Sequence, residues 1–143
     1  MTDLEGLKVV FVAGFGPIVR DPQASQALYV RALGLPLEAR PEDPDYFHGE
    51  TLDGVRHFAL WPLASAAQSC FGSAEWAHDV PIPQAWIEFD VEDVRAASEV
   101  LKQRGYTLLV DTRTEPWGQT VARLQDADGT VVGISYAPWM HTG

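Results

Sequence analysis

The sequence predicts an α+β fold, in which two βαβββ modules follow one another in tandem. Three observations point to it. Short apolar, β-branched runs end at Gly, Pro and Asp turns, as strands do. Two stretches with helical spacing each open on an acid and stop at a glycine. The two stretches are in register, because Gly34 and Gly105 lie 71 residues apart, and so do Asp21 and Glu92.

Taken in order, Leu7 to Val12 read as the first strand, ended irregularly by Gly14, Gly16 and Pro17. Asp21-Pro22 opens a helix carrying Ala24, Ala27, Leu28 and Ala32. Leu35 to Leu37 begins a strand, and Pro41 to Asp45 is an acidic, turn-rich break. Tyr46–Thr51 and Val55–Leu63 are two strands around an Asp53-Gly54 hairpin turn. From 64 to 83 the pattern fades, which reads as a linker or lid with room for a helical turn inside it. Trp86–Val91 is a strand, and Glu92-Asp93 opens a helix with Val94, Ala97, Val100 and Leu101 on one side. Strands at Tyr106–Val110, Gln119–Leu124 and Thr130–Tyr136 complete the second unit, the last two joined by the Asp126–Gly129 turn. The modules are thus expected at 1–63 and 84–143, forming one structural domain.

The 143 residues suffice for a single core that buries about two-thirds of the unfolded surface. Ten Lys and Arg stand against 20 Asp and Glu, a net charge of −10, which repels phosphate backbones and anionic lipid. Nucleic acid and membrane are therefore not expected partners. Small molecules, cations and proteins remain. Cys70 is the sole cysteine, so no internal disulfide forms, and a reducing, cytoplasmic setting is expected. The N-terminus is acidic and unlike a signal peptide, and no apolar run approaches about 18 residues. Gly14-Phe15-Gly16 lacks the third glycine of a dinucleotide site.

Three stretches carry a family resemblance. Tyr29-Val30-Arg31-Ala32-Leu33-Gly34-Leu35 is similar to a family helix end, Glu115-Pro116-Trp117-Gly118 to a strand entry, and Asp126-Ala127-Asp128-Gly129 to a turn. With their order and spacing, the chain resembles the glyoxalase/bleomycin-resistance/dioxygenase superfamily, also called vicinal oxygen chelate, over roughly residues 7 to 137. The resemblance implies a curled mixed sheet around a cleft, in a homodimer. It also implies one divalent metal held by four strands. Carried over by position, the ligands fall at Gly14, at Ala59 or His57, at Trp86 and at Gly133. Only His57 has a side chain that can ligate. The usual metal site is expected to be absent, with no cofactor.

Strand alternation then assigns the cleft face: Trp86, Glu88 and Asp90; His57, Ala59 and Trp61; Val131, Gly133 and Ser135. Indoles beside carboxylates suit a flat aromatic or cationic guest. The first expectation is a metal-independent binding protein that sequesters such a compound through His57, Trp61, Trp86, Glu88, Asp90, Trp117 and Ser135. On this reading Trp86→Ala weakens binding while the fold survives. The alternative is a lyase, isomerase or dioxygenase-like enzyme, with Glu88 or Asp90 as base or with a metal on His57 and Glu88. Blander roles stand beside these. Trp61 and Trp86 could fill the space of a lost metal site, and Trp117 could plug the cleft mouth. Glu88 could pair with Arg123, and Trp76 and Trp139 could be dimer contacts or pocket walls. His48, His78 and His141 look too scattered for a cluster, and Cys70 has no partner to make it a nucleophile.

Overall fold

The computed structural model describes residues 7–141, so the acidic N-terminal residues 1–6 lie outside the described residues. One open, curled eight-stranded sheet runs through the molecule. Its first half contains β1 (Val9–Val19), α1 (Pro22–Gln26), β2 (Glu38–Arg40), β3 (Asp43–Gly49) and β4 (Phe58–Pro62). A π-helical turn, Ala27–Ala32, continues α1. Helix α2 (Leu63–Phe71) follows. The second half contains β5 (Ala85–Val91), α3 (Val94–Gln103), β6 (Val110–Thr114), β7 (Thr120–Gln125) and β8 (Val131–Tyr136), and a 3₁₀ turn at Pro138–Met140 ends it. No helix among the described residues is long and apolar enough to cross a membrane.

The strand order, β2-β3-β4-β1-β5-β8-β7-β6, shows the duplication directly. In each half the first strand pairs in parallel with the last, β1 with β4 and β5 with β8. The halves meet where β1 and β5 pair antiparallel. Both long connections begin as the sequence indicates. Asp21 and Asp93 cap α1 and α3 by accepting backbone N–H bonds from Ala24 and Ala96. Gly34 and Gly105 take the left-handed conformation that lets the chain leave the helix.

Three apolar clusters hold the layers. Val19, Leu37, Phe58 and Leu60 pack beneath Tyr29 and Val30. Val91, Ala122 and Ile134 pack beneath Val94 and Ala97 of α3. On the other face, Ile18, Ala59, Trp86 and Val131 pack with Ala66 of α2. The alternation assigned to β4 and β5 therefore sorts their residues correctly between helix side and cleft side.

Several boundaries differ from the expectation. Strand β1 does not stop at Val12 but runs through Gly14, Gly16 and Pro17. Glycine is needed there because β4 passes so close. A Cβ at Gly16 would lie 2.0 Å from the Ala59 carbonyl oxygen, and one at Gly14 2.7 Å from that of His57. Strand β2 forms at Glu38–Arg40, beyond Leu35–Leu37, because Leu37 turns into the core. Pro41 and Glu42 make the β2–β3 turn, so Asp43 to Asp45 belong to β3. β6 begins at Val110, where Tyr106–Val110 was expected. The stretch expected as a linker or lid opens with α2, whose Ala66, Ala67 and Cys70 are buried.

Candidate functional site

A cleft of about 1310 Å³ opens on the sheet face that carries Gly14, Trp61, Trp86, Glu88 and Arg123. His57 and Trp117 also line it. Its further walls come from β3 (Tyr46, His48), from α2 (Ser65, Gln68, Ser69) and from the C-terminal turn (Trp139, Met140).

Trp86 forms the floor. It is 9% exposed, and its indole N–H donates to the Ala59 carbonyl at 3.2 Å. Its ring sits over Gly14, where a Cβ would come within 3.0 Å of it. Glu88 fills the corresponding space beside Gly133, where a Cβ would meet its Oε1 at 2.9 Å. Two of the positions carried over for the metal are thus glycines whose space is taken by the neighbouring Trp86 and Glu88, and a third is Trp86 itself. The residues present do not fit the four-strand metal that the family resemblance implies. Trp86 is also a core residue, so its replacement by Ala removes packing as well as cleft surface.

Glu88 is not a free carboxylate. Its Oε2 accepts a hydrogen bond from the Gln119 amide at 2.9 Å, and its Oε1 lies 3.7 Å from the Arg123 guanidinium. Arg123 also stands 5.2 Å from the Trp61 ring centroid and donates to the Ser69 hydroxyl at 2.9 Å. Arg113 donates to the same hydroxyl at 3.1 Å, so α2 orients both arginines. Both the salt-bridge reading of Glu88 and the space-filling reading of Trp86 have direct geometric support.

Asp90 and Ser135 do not line the cleft. They are neighbours across β5 and β8, and each is 1% exposed. Asp90 shares a strand face with Trp86 and Glu88, but the C-terminal turn folds back over that end. The His141 Nε2 lies 2.8 Å from Asp90 Oδ1, and the His141 ring stacks on Tyr136 at 4.4 Å. Asp90 is therefore removed as a cleft base, and His141, though exposed, is its partner. Alternation gives the face of a residue but not the cover above it.

Of the two exposed indoles in the cleft, Trp117 is 60% exposed and donates to Gln119 Oε1 at 2.9 Å, whereas Trp139 is 50% exposed. Trp76 is no cleft wall; its N–H reaches the Val80 and Pro81 carbonyls and pins the loop after α2. Burial raises the pKa of the Cys70 thiol, which keeps it protonated.

The structure brings together one group that sequence reading missed. His57 Nδ1 lies 2.6 Å from Glu50 Oε2, and His48 Nδ1 lies 3.4 Å from the same oxygen. The Tyr46 hydroxyl sits 2.8 Å from His57 Nε2. Tyr46, His48 and His57 stack with 26° between their planes. Burial, and after it the Glu88 charge, raises the tyrosine pKa, so its hydroxyl stays protonated. The signal was present in the sequence. A two-residue turn at Asp53-Gly54 sets Glu50 across from His57, and the His-Gly-Glu spacing puts His48 on the face of Glu50. His57 belongs with these residues; Glu88, its expected metal partner, is not in the group.

Comparison with known proteins agrees with the architecture. A family model, the Glyoxalase/Bleomycin resistance protein/Dioxygenase superfamily, matches residues 15–134, and the chain belongs to that superfamily. No curated protein matches the sequence. Among solved structures, a superfamily member from Vibrio splendidus 12B01 is 19% identical. That match covers 92% of this chain and 99% of the other with a TM-score of 0.56. A Streptomyces coelicolor methylmalonyl-CoA epimerase variant, in complex with 2-nitronate-propionyl-CoA, is 15% identical over 92% of this chain and 96% of its own, with a TM-score of 0.53. A Legionella pneumophila protein described as an NAD-dependent benzaldehyde dehydrogenase is 13% identical, with 86% and 96% covered and a TM-score of 0.54. At these identities the likeness is one of fold.

Proposed function

We propose that the chain is a small-molecule-binding protein whose cleft takes a planar aromatic guest, and that it needs no metal at the four strand positions to do so. One observation carries this reading: a large cleft lined by Trp61, Trp86, Trp117 and Trp139, with Trp86 and Glu88 filling the space beside Gly14 and Gly133. Trp117, 60% exposed, supplies stacking area at low entropic cost. With Glu88 paired to Arg123 and Glu115 to Arg113, the acids left in the lining are Glu42, Asp43 and Glu50 against Arg40 and Arg56, which favours an amine-bearing guest. Sequestration, without chemical change, is the role this composition serves. A second copy of the chain is the protein partner we propose. Its support is the exposure of Val10, Val12 and Phe15 on the central strand β1.

The test is a tryptophan-fluorescence titration with planar cationic and neutral aromatic compounds. Saturable quenching by one class is expected, weakened about tenfold in Trp117→Ala, or about 1.4 kcal/mol. Quenching that is identical in the variant removes Trp117 from the site.

A second reading is enzymatic, and the Tyr46–His57–Glu50 chain favours it, since a carboxylate against one imidazole nitrogen orients the other for proton transfer. Consumption of a bound compound by the protein, abolished in His57→Gln, would establish it over sequestration.

A further inference from the structure

We propose that His48, Glu50 and His57 form a binding site for one divalent transition-metal ion on the wall of the cleft. This inference does not rest on the aromatic-guest reading. One ligand atom from each of His48, Glu50 and His57 lies within 4.8 Å of the other two, and Nδ1 of both histidines faces Glu50 Oε2. Ligands held about 2.1 Å from a tetrahedral zinc ion stand about 3.4 Å apart. The His48–Glu50 separation of 3.4 Å already matches, and the His57–Glu50 separation of 2.6 Å must open by well under 1 Å. Glu50 can give that distance, because its side chain is 57% exposed and sits in the turn region after β3.

The surroundings support the imidazoles in this role. With Nδ1 turned to the ion, His57 carries its proton on Nε2 and donates it to the Tyr46 oxygen 2.8 Å away. That fixes ring and tautomer in the manner of supporting groups around metals. His48 packs its ring against both Tyr46 and His57, with centroids 5.0 and 5.6 Å away, which holds it in place. Two imidazoles and one carboxylate are a donor set suited to Zn²⁺ and its neighbours rather than to Ca²⁺ or Mg²⁺. Three protein ligands leave a coordination position open, and all three residues line the cleft, so the open position is accessible to whatever the cleft holds. The site departs from an arrangement of one ligand per strand on four strands. It shares only His57 with the carried-over positions, uses none of Gly14, Trp86 or Gly133, and draws its other ligands from a single neighbourhood, β3 and the hairpin leading into β4.

The experiment is calorimetric titration of the chelator-stripped full chain with Zn²⁺, paired with the visible absorption of the Co²⁺ complex. One ion per chain is expected, with Co²⁺ bands of a four- or five-coordinate nitrogen–oxygen site. His48→Ala and Glu50→Gln are each expected to weaken binding by more than about 100-fold. Tyr46→Phe is expected to weaken it by about 10- to 100-fold, the cost of losing a supporting group. His78→Ala, in the loop after α2, should bind as the parent does. The side chains of His48, Glu50 and His57 are 16%, 57% and 23% exposed, so none is a fully buried core group and the variants are expected to remain folded, which circular dichroism of each checks. Binding that survives both His48→Ala and Glu50→Gln, or that is lost in Glu88→Gln instead, overturns the proposal. So does the absence of binding tighter than millimolar. Failure here leaves guest binding untouched, because that titration is run on metal-free protein.

Discussion

Gly14, Gly16 and Gly133 decide what the cleft can contain. At Gly16 the added methyl would collide with backbone, 2.0 Å from the Ala59 oxygen, and neither strand can yield without breaking its ladder. At Gly133 the obstacle is the end of the Glu88 side chain, which can swing away. Gly16→Ala should therefore lose about 1–3 kcal/mol or more, and Gly133→Ala less than about 1 kcal/mol. Chemical denaturation of both variants checks the order; equal losses would contradict the picture of a rigid and a yielding neighbour. These contacts join residues distant in sequence, so a lone chain of letters shows the glycines but not what presses on them. The side chains of Trp86 and Glu88 were placed on the correct face by alternation. Their partners, Ala59 for one and Gln119 with Arg123 for the other, emerge only with the register between strands.

At the scale of elements, caps and turns were the most legible features. Asp21 and Asp93 act locally, through side chains that reach backbone N–H groups three residues on. Asp93→Ala should cost about 1 kcal/mol, since α3 buries Val94 and Ala97 and its start must stay in place. Asp21→Ala should cost less, because α1 buries none of its own residues. Denaturant midpoints of the two variants test this difference. Helix α2 is longer than the helical turn that the 64–83 stretch allows on sequence, and Leu63, Ala66, Ala67 and Cys70 recur in it at helical spacing. Its side chains are small, and it starts after Pro62 with no side-chain cap. It matters because Ser69 gathers Arg113 and Arg123 at the cleft. The metal-capable group was legible in principle. The Asp53-Gly54 turn implies the pairing of Glu50 with His57, but His48 and His57 were weighed as separate residues rather than as neighbours across a hairpin.

For the whole molecule, the tandem repeat, the strand order and the curl all follow from one duplicated unit, which is why the fold could be read from spacing while the site could not. The cleft lies on one face of the eight-stranded sheet, and the chain after β8 turns back so that His141 meets Asp90. That contact covers Asp90, which no repeat-based reading anticipates. If a second copy covers Val10, Val12 and Phe15, light scattering should give twice the 15.7 kDa chain mass. Phe15→Asp should then return the mass to that of one chain, and a single-chain mass for the parent protein would remove this partner.

The measurement closest to the central claim is the fluorescence titration of chelator-stripped protein with planar aromatic amines. The account predicts saturable, one-to-one quenching without added metal and about tenfold weaker binding in Trp117→Ala. Quenching that appears only after a divalent ion is restored, or that no aromatic compound produces, would contradict it.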